Sequence, residues 1–173
     1  MAKTTNPLII NVGFIVTEDN GYARNFEFDF PELELAHDLH LLKVSGNAQF
    51  TRTPQGLLAD VQFAGIVNGE CSRCLDATEI QLATRFNELF AFDERSTTES
   101  ELLVPDDRMI DLEPLVREYL LLDMPITSLC KSDCLGLCGT CGKNLNRDKH
   151  VHEEDDIDPR LAALKDLLED KDK

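Results

Sequence analysis

Apolar residues in this chain follow two different spacings, and the change from one to the other marks its elements. Ala23–Phe30 alternates: Phe26, Phe28 and Phe30 share one parity, while Asn25, Glu27 and Asp29 take the other, the period-two pattern of a half-buried strand. Leu8–Val16 is apolar and β-branched enough to predict a strand. Leu33–Leu42 fits helix and strand equally. Val44–Thr53 and Leu57–Glu70, joined through Pro54-Gln55-Gly56, predict a hairpin, because Pro and Gly supply the turn chemistry. Val61, Phe63 and Val67 fall on one face of it. Thr78–Phe92 reads as a further long strand, with Ile80, Leu82, Phe86, Phe90 and Phe92 in one parity.

The spacing then turns helical. Leu112, Leu115, Val116, Tyr119 and Leu120 predict a helix over 111–123, with Asp111 as its cap and Pro125 as its stop. Pro114 is tolerated there because it lies in the first turn. A second helix is predicted over 158–170, with Asp158 as N-cap, Pro159 at the first position and Leu161, Leu164 and Leu168 along one face. Before the first of these helices, Asp93–Asp107 is an acidic stretch expected as a mobile loop, with only Leu102–Val104 touching the core. Together these elements predict an α+β fold: a curved antiparallel β-sheet with two main helices and a C-terminal zinc-binding segment. The expected organisation is a β-rich domain over 1–129 that includes the helix 111–123. A zinc-binding segment over 130–152 packs on it, and an acidic linker and C-terminal helix occupy 153–173.

Composition narrows the function. The 173 residues carry 33 acidic and 17 basic side chains, a formal net charge of −16. A globally basic nucleic-acid binder is excluded, since phosphate affinity rests on Lys and Arg displacing counterions. No apolar run approaches the ~20 residues of a membrane span. Asn6, Pro7 and Asn11 stand where a signal peptide would be apolar. A cytoplasmic protein without a membrane partner is the expectation.

Six cysteines in such a chain are not expected to form disulfides. Cys71 and Cys74 form one C-x-x-C, placed at the turn between two predicted strands. Cys130, Cys134, Cys138 and Cys141 follow as a second cluster, and His150 and His152 come shortly after. Eight thiol and imidazole donors in short pairs suit tetrahedral zinc, because each pair delivers two ligands from one tight turn. Glycines at 139 and 142 allow the backbone to curl so that amides face sulfur. Arg73 is placed to offset thiolate charge. A redox C-x-x-C pair is the competing reading, but such a pair normally opens a helix in a βαβ setting.

The motifs Cys71-Ser72-Arg73-Cys74-Leu75, Cys141-Gly142-Lys143-Asn144-Leu145-Asn146 and Asp158-Pro159-Arg160-Leu161-Ala162-Ala163-Leu164 occur in that order. In this they resemble the YceD family, the large ribosomal RNA subunit accumulation proteins. One departure is that His150-Val151-His152 stands where relatives with the full C-terminal run place C-x-C. Histidine replaces cysteine readily as a zinc ligand. The resemblance implies a role in the accumulation, processing or stability of large-subunit ribosomal RNA, and it maps no catalytic residue onto this chain.

Two zinc sites are expected. One joins Cys71 and Cys74 to Cys130 and Cys134; the other joins Cys138 and Cys141 to His150 and His152. The alternative is a single ribbon-like site from Cys71, Cys74, Cys138 and Cys141. The leading functional expectation is a non-enzymatic zinc-binding factor that associates with large-subunit ribosomal RNA or its assembly intermediates. Its contacts would come from Lys131, Lys143, Arg147 and Lys149, which outnumber Asp133 and Asp148 in that stretch. A solvated loop with no RNA contact is the plainer reading of the same charges. An acidic adaptor or chaperone for a basic ribosomal protein is the alternative that the total charge favours. A zinc hydrolase is more remote. His152-Glu153-Glu154 spells H-x-E, but its order relative to Cys138 and Cys141 is reversed, and no Pro precedes Cys138 as a deaminase signature requires.

Overall fold

The computed structural model describes residues 6–98, 101–150 and 152. Four long antiparallel strands dominate it: β2 (Ala23–Leu35), β3 (Leu39–Arg52), β4 (Gly56–Glu70) and β5 (Ala77–Ala91), hydrogen-bonded in chain order. A two-stranded sheet pairs β1 (Ile9–Asn11) with β6 (Met109–Asp111), and two α-helices, α1 (Gly13–Val16) and α2 (Glu113–Leu122), with a short 3-10 turn after β5, complete the described elements. The fold is mostly β. The helix expected over 158–170 lies outside the described residues.

Alternation decides which face of the sheet is covered. Val44, Ala48, Phe50, Leu57, Ala59, Val61, Phe63, Leu82, Phe86 and Phe90 are all buried, and they meet Ile10, Ile15, Ile110, Leu112, Val116 and Leu120 from the smaller sheet and the helices. Tyr119 of α2 stacks on Phe86 of β5 at 4.2 Å between ring centroids, with the planes 6° apart. At the far end of α2, Arg117 forms an ion pair with Asp38 in the β2–β3 turn, and Glu113 Oε1 accepts the Ala36 amide at 2.7 Å. Helix α2 is therefore tied to β5 at one edge of the sheet and to the β2–β3 turn at the other.

Two expectations need correction, and one open reading is resolved. Leu8–Val16 is not one strand. Asn11 Oδ1 accepts the Gly13 amide at 2.9 Å, which ends the β1 ladder and lets α1 begin. Asp111 is the last residue of β6 rather than the helix cap position, which falls on Leu112; its carboxylate still accepts the Glu113 amide at 2.9 Å. The ambiguous stretch Leu33–Leu42 is two strand ends around a turn, where Ala36 and His37 take positive φ of 47° and 64°. In the acidic stretch, Asp93 caps a 3-10 turn over Glu94–Ser96. Leu102 and Val104 pack on the core, while Leu103 faces outward.

Candidate metal centre

The β4–β5 connection holds the first donors. Its six residues close as a tight turn: the Cys71 amide donates to the Asp76 carbonyl at 2.8 Å and the Leu75 amide to the Cys71 carbonyl at 2.9 Å. Leu75 takes a left-handed φ of 59° there. The segment after α2 is bonded onto this turn. The Ser72 amide donates to the Ser128 carbonyl at 2.7 Å, Ser128 Oγ to the Glu70 carbonyl at 2.6 Å, and Arg73 Nη1 to the Cys134 carbonyl at 3.0 Å. Arg73 thus grips the backbone of the segment that carries Cys134.

These bonds bring Cys71, Cys74, Cys130 and Cys134 together, with all four sulfur atoms within 4.8 Å of one another. Cys71 and Cys134 lie 3.8 Å apart, and Cys74 and Cys130 3.6 Å. Four thiolates around one zinc at about 2.3 Å would be about 3.8 Å apart. The same pairs lie far beyond a disulfide bond length of about 2.0 Å. Three of the four side chains are buried; Cys130 is exposed.

Amides aimed at sulfur set the acidities. Cys71 falls to about 6 through the backbone N–H groups of Cys130, Cys74 and Arg73. Burial raises Cys134, but the Asn146 side chain, the Gly136 amide and the Cys74 and Cys130 thiols together lower it. Cys74 moves the other way. The Asp76 amide lowers it, but burial and the three neighbouring thiols push it up to about 12. Burial raises Cys130 as well. Four thiols this close cannot all ionise unaided, whereas a bound dication would let them.

The second set is Cys138, Cys141, His150 and His152, whose donor atoms also lie within 4.8 Å of one another. Here the backbone folds into a small hairpin: the Cys138 amide donates to the Lys143 carbonyl at 2.8 Å and the Gly142 amide to the Cys138 carbonyl at 2.9 Å. Gly142 takes a φ of +71°, which glycine adopts without steric cost. The amides of Cys141 and Thr140 lower Cys138 to about 6. His150 Nδ1 lies 2.9 Å from the Asp148 carbonyl, which can only accept, so Nδ1 carries the hydrogen. When the ring is neutral, Nε2 presents a lone pair, 3.1 Å from Cys141 Sγ and 3.0 Å from His152 Nε2. Lone pairs converging on one point are the donor set of a cation site. The ribbon-like combination of Cys71, Cys74, Cys138 and Cys141 is not one that the described residues bring together.

The sequence reading did not assign roles to Asp76, Asn144 and Asn146, which join the two clusters. Asn144 Nδ2 and Arg147 Nη2 each donate to the Asp76 carboxylate, at 2.9 and 2.8 Å. Asn146 Nδ2 is 3.4 Å from Cys134 Sγ. Two short-side-chain amides at positions i and i+2 beside a C-x-x-C were the available signal. Of the four basic residues singled out, Arg147 is engaged with Asp76 and Lys131 lies 3.8 Å from Asp133. Lys143 and Lys149 are exposed.

Fold and site together define a β-sheet protein with two thiol-rich clusters able to hold metal ions. Residues 59–168 match the family described as "Large ribosomal RNA subunit accumulation protein YceD", and the chain belongs to that family. An uncharacterized protein of Mycobacterium tuberculosis is 35% identical over 119 residues, covering 66% of this chain and 56% of the relative. YlbN, an uncharacterized protein of Bacillus subtilis, is 31% identical over 118 residues, covering 65% of this chain and 69% of the relative. The chloroplastic "Large ribosomal RNA subunit accumulation protein YCED homolog 1" of Arabidopsis thaliana is 34% identical over 65 residues, covering 38% of this chain and 20% of the relative. The chain spans about half the length of the mycobacterial relatives it matches. No solved structure matches it. Among the described residues, no helix is long and apolar enough to cross a membrane.

Proposed function

We propose that this protein is a zinc-stabilised, non-enzymatic factor supporting the accumulation of large-subunit ribosomal RNA in the cytoplasm. The observation that carries this is the pair of four-donor clusters in a chain of the YceD family. Zinc would be held by Cys71, Cys74, Cys130 and Cys134 and by Cys138, Cys141, His150 and His152. Its contribution is folding energy for 130–152, where Leu135, Leu137 and Leu145 are the main large apolar side chains. On this reading the β-rich part over 1–129 is the body, 130–152 is a metal-held platform, and 153–173 is an acidic tail with a helix.

Assembly intermediates of the large subunit are the proposed partner, met through Lys131, Lys143 and Lys149 on the platform. Arg147, already paired with Asp76, serves the platform's own structure. A second reading, an adaptor for a basic ribosomal protein, is supported by the net charge of −16.

Depleting the protein in its source organism should lower the ratio of large- to small-subunit ribosomal RNA. Wild-type protein should restore the ratio, and a variant with Cys71, Cys74, Cys130 and Cys134 changed to Ser should not. An unchanged ratio on depletion would overturn the functional reading. Metal-free protein purified under reducing conditions without chelator would overturn the zinc.

A further inference from the structure

Strand β2 pairs only with β3 among the described residues, which leaves its other edge open. The usable length is Ala23–Phe30, because Pro31 has no N–H to donate. Beside this edge lies an open, mostly apolar cleft of about 480 Å³, lined by Phe26, Phe28 and Phe30 of β2 and by Ile9 and Phe14 from the N-terminal elements, with Glu27 also bordering it. Phe14 is 43% exposed, although its ring lies 6.4 Å from that of Phe26. A large aromatic side chain left half in water next to an open strand is an unfilled contact.

The other face of the same strand is acidic. Glu27 and Asp29 are exposed and stand opposite neutral Asn47 and Ser45 in the β2–β3 register. Glu32 and Glu34 continue the row beyond Pro31, with His40 and His37 at 3.8 and 3.3 Å. This edge therefore offers main-chain hydrogen bonds, an apolar cleft on one side and carboxylates on the other.

We propose that the β2 edge captures an extended basic segment of a partner protein. The segment would add as a fifth strand, its apolar side chains entering the cleft beside Phe14 and Phe26 and its lysines or arginines meeting Glu27 and Asp29. Strand addition of this kind takes affinity from the backbone and selectivity from alternate side chains. Charge selects the occupant. RNA would be repelled by the acidic row, and a second copy would set the same carboxylates against each other. The chain's own tail brings Glu153, Glu154, Asp155, Asp156 and Asp158, which is the wrong sign. The inference rests on the ribosomal reading above only for where such a basic partner comes from.

Full-length, zinc-loaded protein would be titrated with a labelled synthetic peptide alternating valine and lysine. A peptide of identical composition in two blocks, all valine then all lysine, serves as the control. The alternating peptide should bind at least about tenfold more tightly than the control and should slow amide exchange along residues 23–30. Glu27→Lys with Asp29→Lys should weaken that binding about tenfold, and Phe14→Ser should also weaken it, with zinc content and melting temperature kept. Equal binding of both peptides, absence of protection on β2, or full affinity in the charge-reversed variant would each overturn the proposal. So would self-association that the charge reversal removes in a protein that binds neither peptide, since a second copy would then own the edge. If β2 binds the peptide in a protein whose depletion leaves ribosomal RNA unchanged, the edge stands and the ribosomal reading falls. The reverse pair of results removes the edge alone.

Discussion

Asn144 Nδ2 donates to Asp76 Oδ2 at 2.9 Å, and this bond ties the hairpin of the second cluster to the turn of the first. The other carboxylate oxygen of Asp76 takes Arg147, its carbonyl takes the Cys71 amide, and its own amide faces the Cys74 sulfur. One side chain two residues after Cys74 thus connects both donor sets. Groups that orient ligands in this way typically matter about 10–100-fold in metal affinity.

Asp76→Ala should therefore lower zinc affinity by about tenfold or more, measured by competition with a chelating dye. Asp76→Asn keeps an acceptor for Asn144 and loses only an exposed ion pair, worth about 0–1 kcal/mol, so it should remain close to wild type. Equal losses in the two variants would show that charge, rather than the hydrogen bond, does the joining.

Metal removal should proceed in two steps. Cys71, Cys74 and Cys134 are buried, whereas Cys141 and His152 are exposed, so a chelator should strip the second cluster first. Zinc content is expected at two equivalents, falling to one in His150→Ala with His152→Ala. Amide exchange should then rise over 135–150 before it rises along β4 and β5. A single step that opens the segment and the sheet together would contradict this order.

Much of the sheet was legible because each strand buries one face, so Phe26–Phe30 and Ile80–Phe92 alternate openly in sequence. The N-terminal stretch was not. Ile9, Ile10, Val12, Ile15 and Val16 have strand composition, but what splits them is a side-chain bond from Asn11 to the Gly13 amide, which no apolar pattern records. Cysteine spacing pointed to metal chemistry because ligands from one turn must be near neighbours in sequence. Asp76 was invisible for the opposite reason: its partners lie about seventy residues away, and only the fold brings them to it.

Gly136 combines a left-handed backbone with a close neighbour, which neither Gly139 nor Gly142 does. Its φ is +77°, and a Cβ there would meet the Arg73 carbonyl at 3.1 Å. Gly136→Ala should destabilise by about 1–2 kcal/mol and weaken the first cluster, since Leu137 and Leu145 bond through the same backbone. Gly139→Ala has open space and should change little. Thermal melting of the two variants side by side decides this, and equal effects would refute the argument from backbone geometry.

Tyr119 supplies a pH-dependent contribution of known sign. Its hydroxyl donates to Glu88 Oε1 at 2.6 Å, and that bond, with burial and the charges of Glu88 and Glu118, pushes the phenol from 10.0 up to about 12. An acid whose folded value is raised is stabilising while it stays protonated. The contribution is therefore complete below pH 10, shrinks between 10 and 12, and is gone above that range. Tyr119→Phe keeps the stack on Phe86 and loses the bond, about 1–2 kcal/mol at neutral pH. The melting-temperature gap between wild type and Tyr119→Phe should stay constant up to about pH 10 and close above it. In an ultraviolet titration, the phenolate step missing from the variant should be the one near 12. A gap that persists undiminished at the highest pH would mean that the Glu88 bond is not its source, since the stack on Phe86 is common to both proteins.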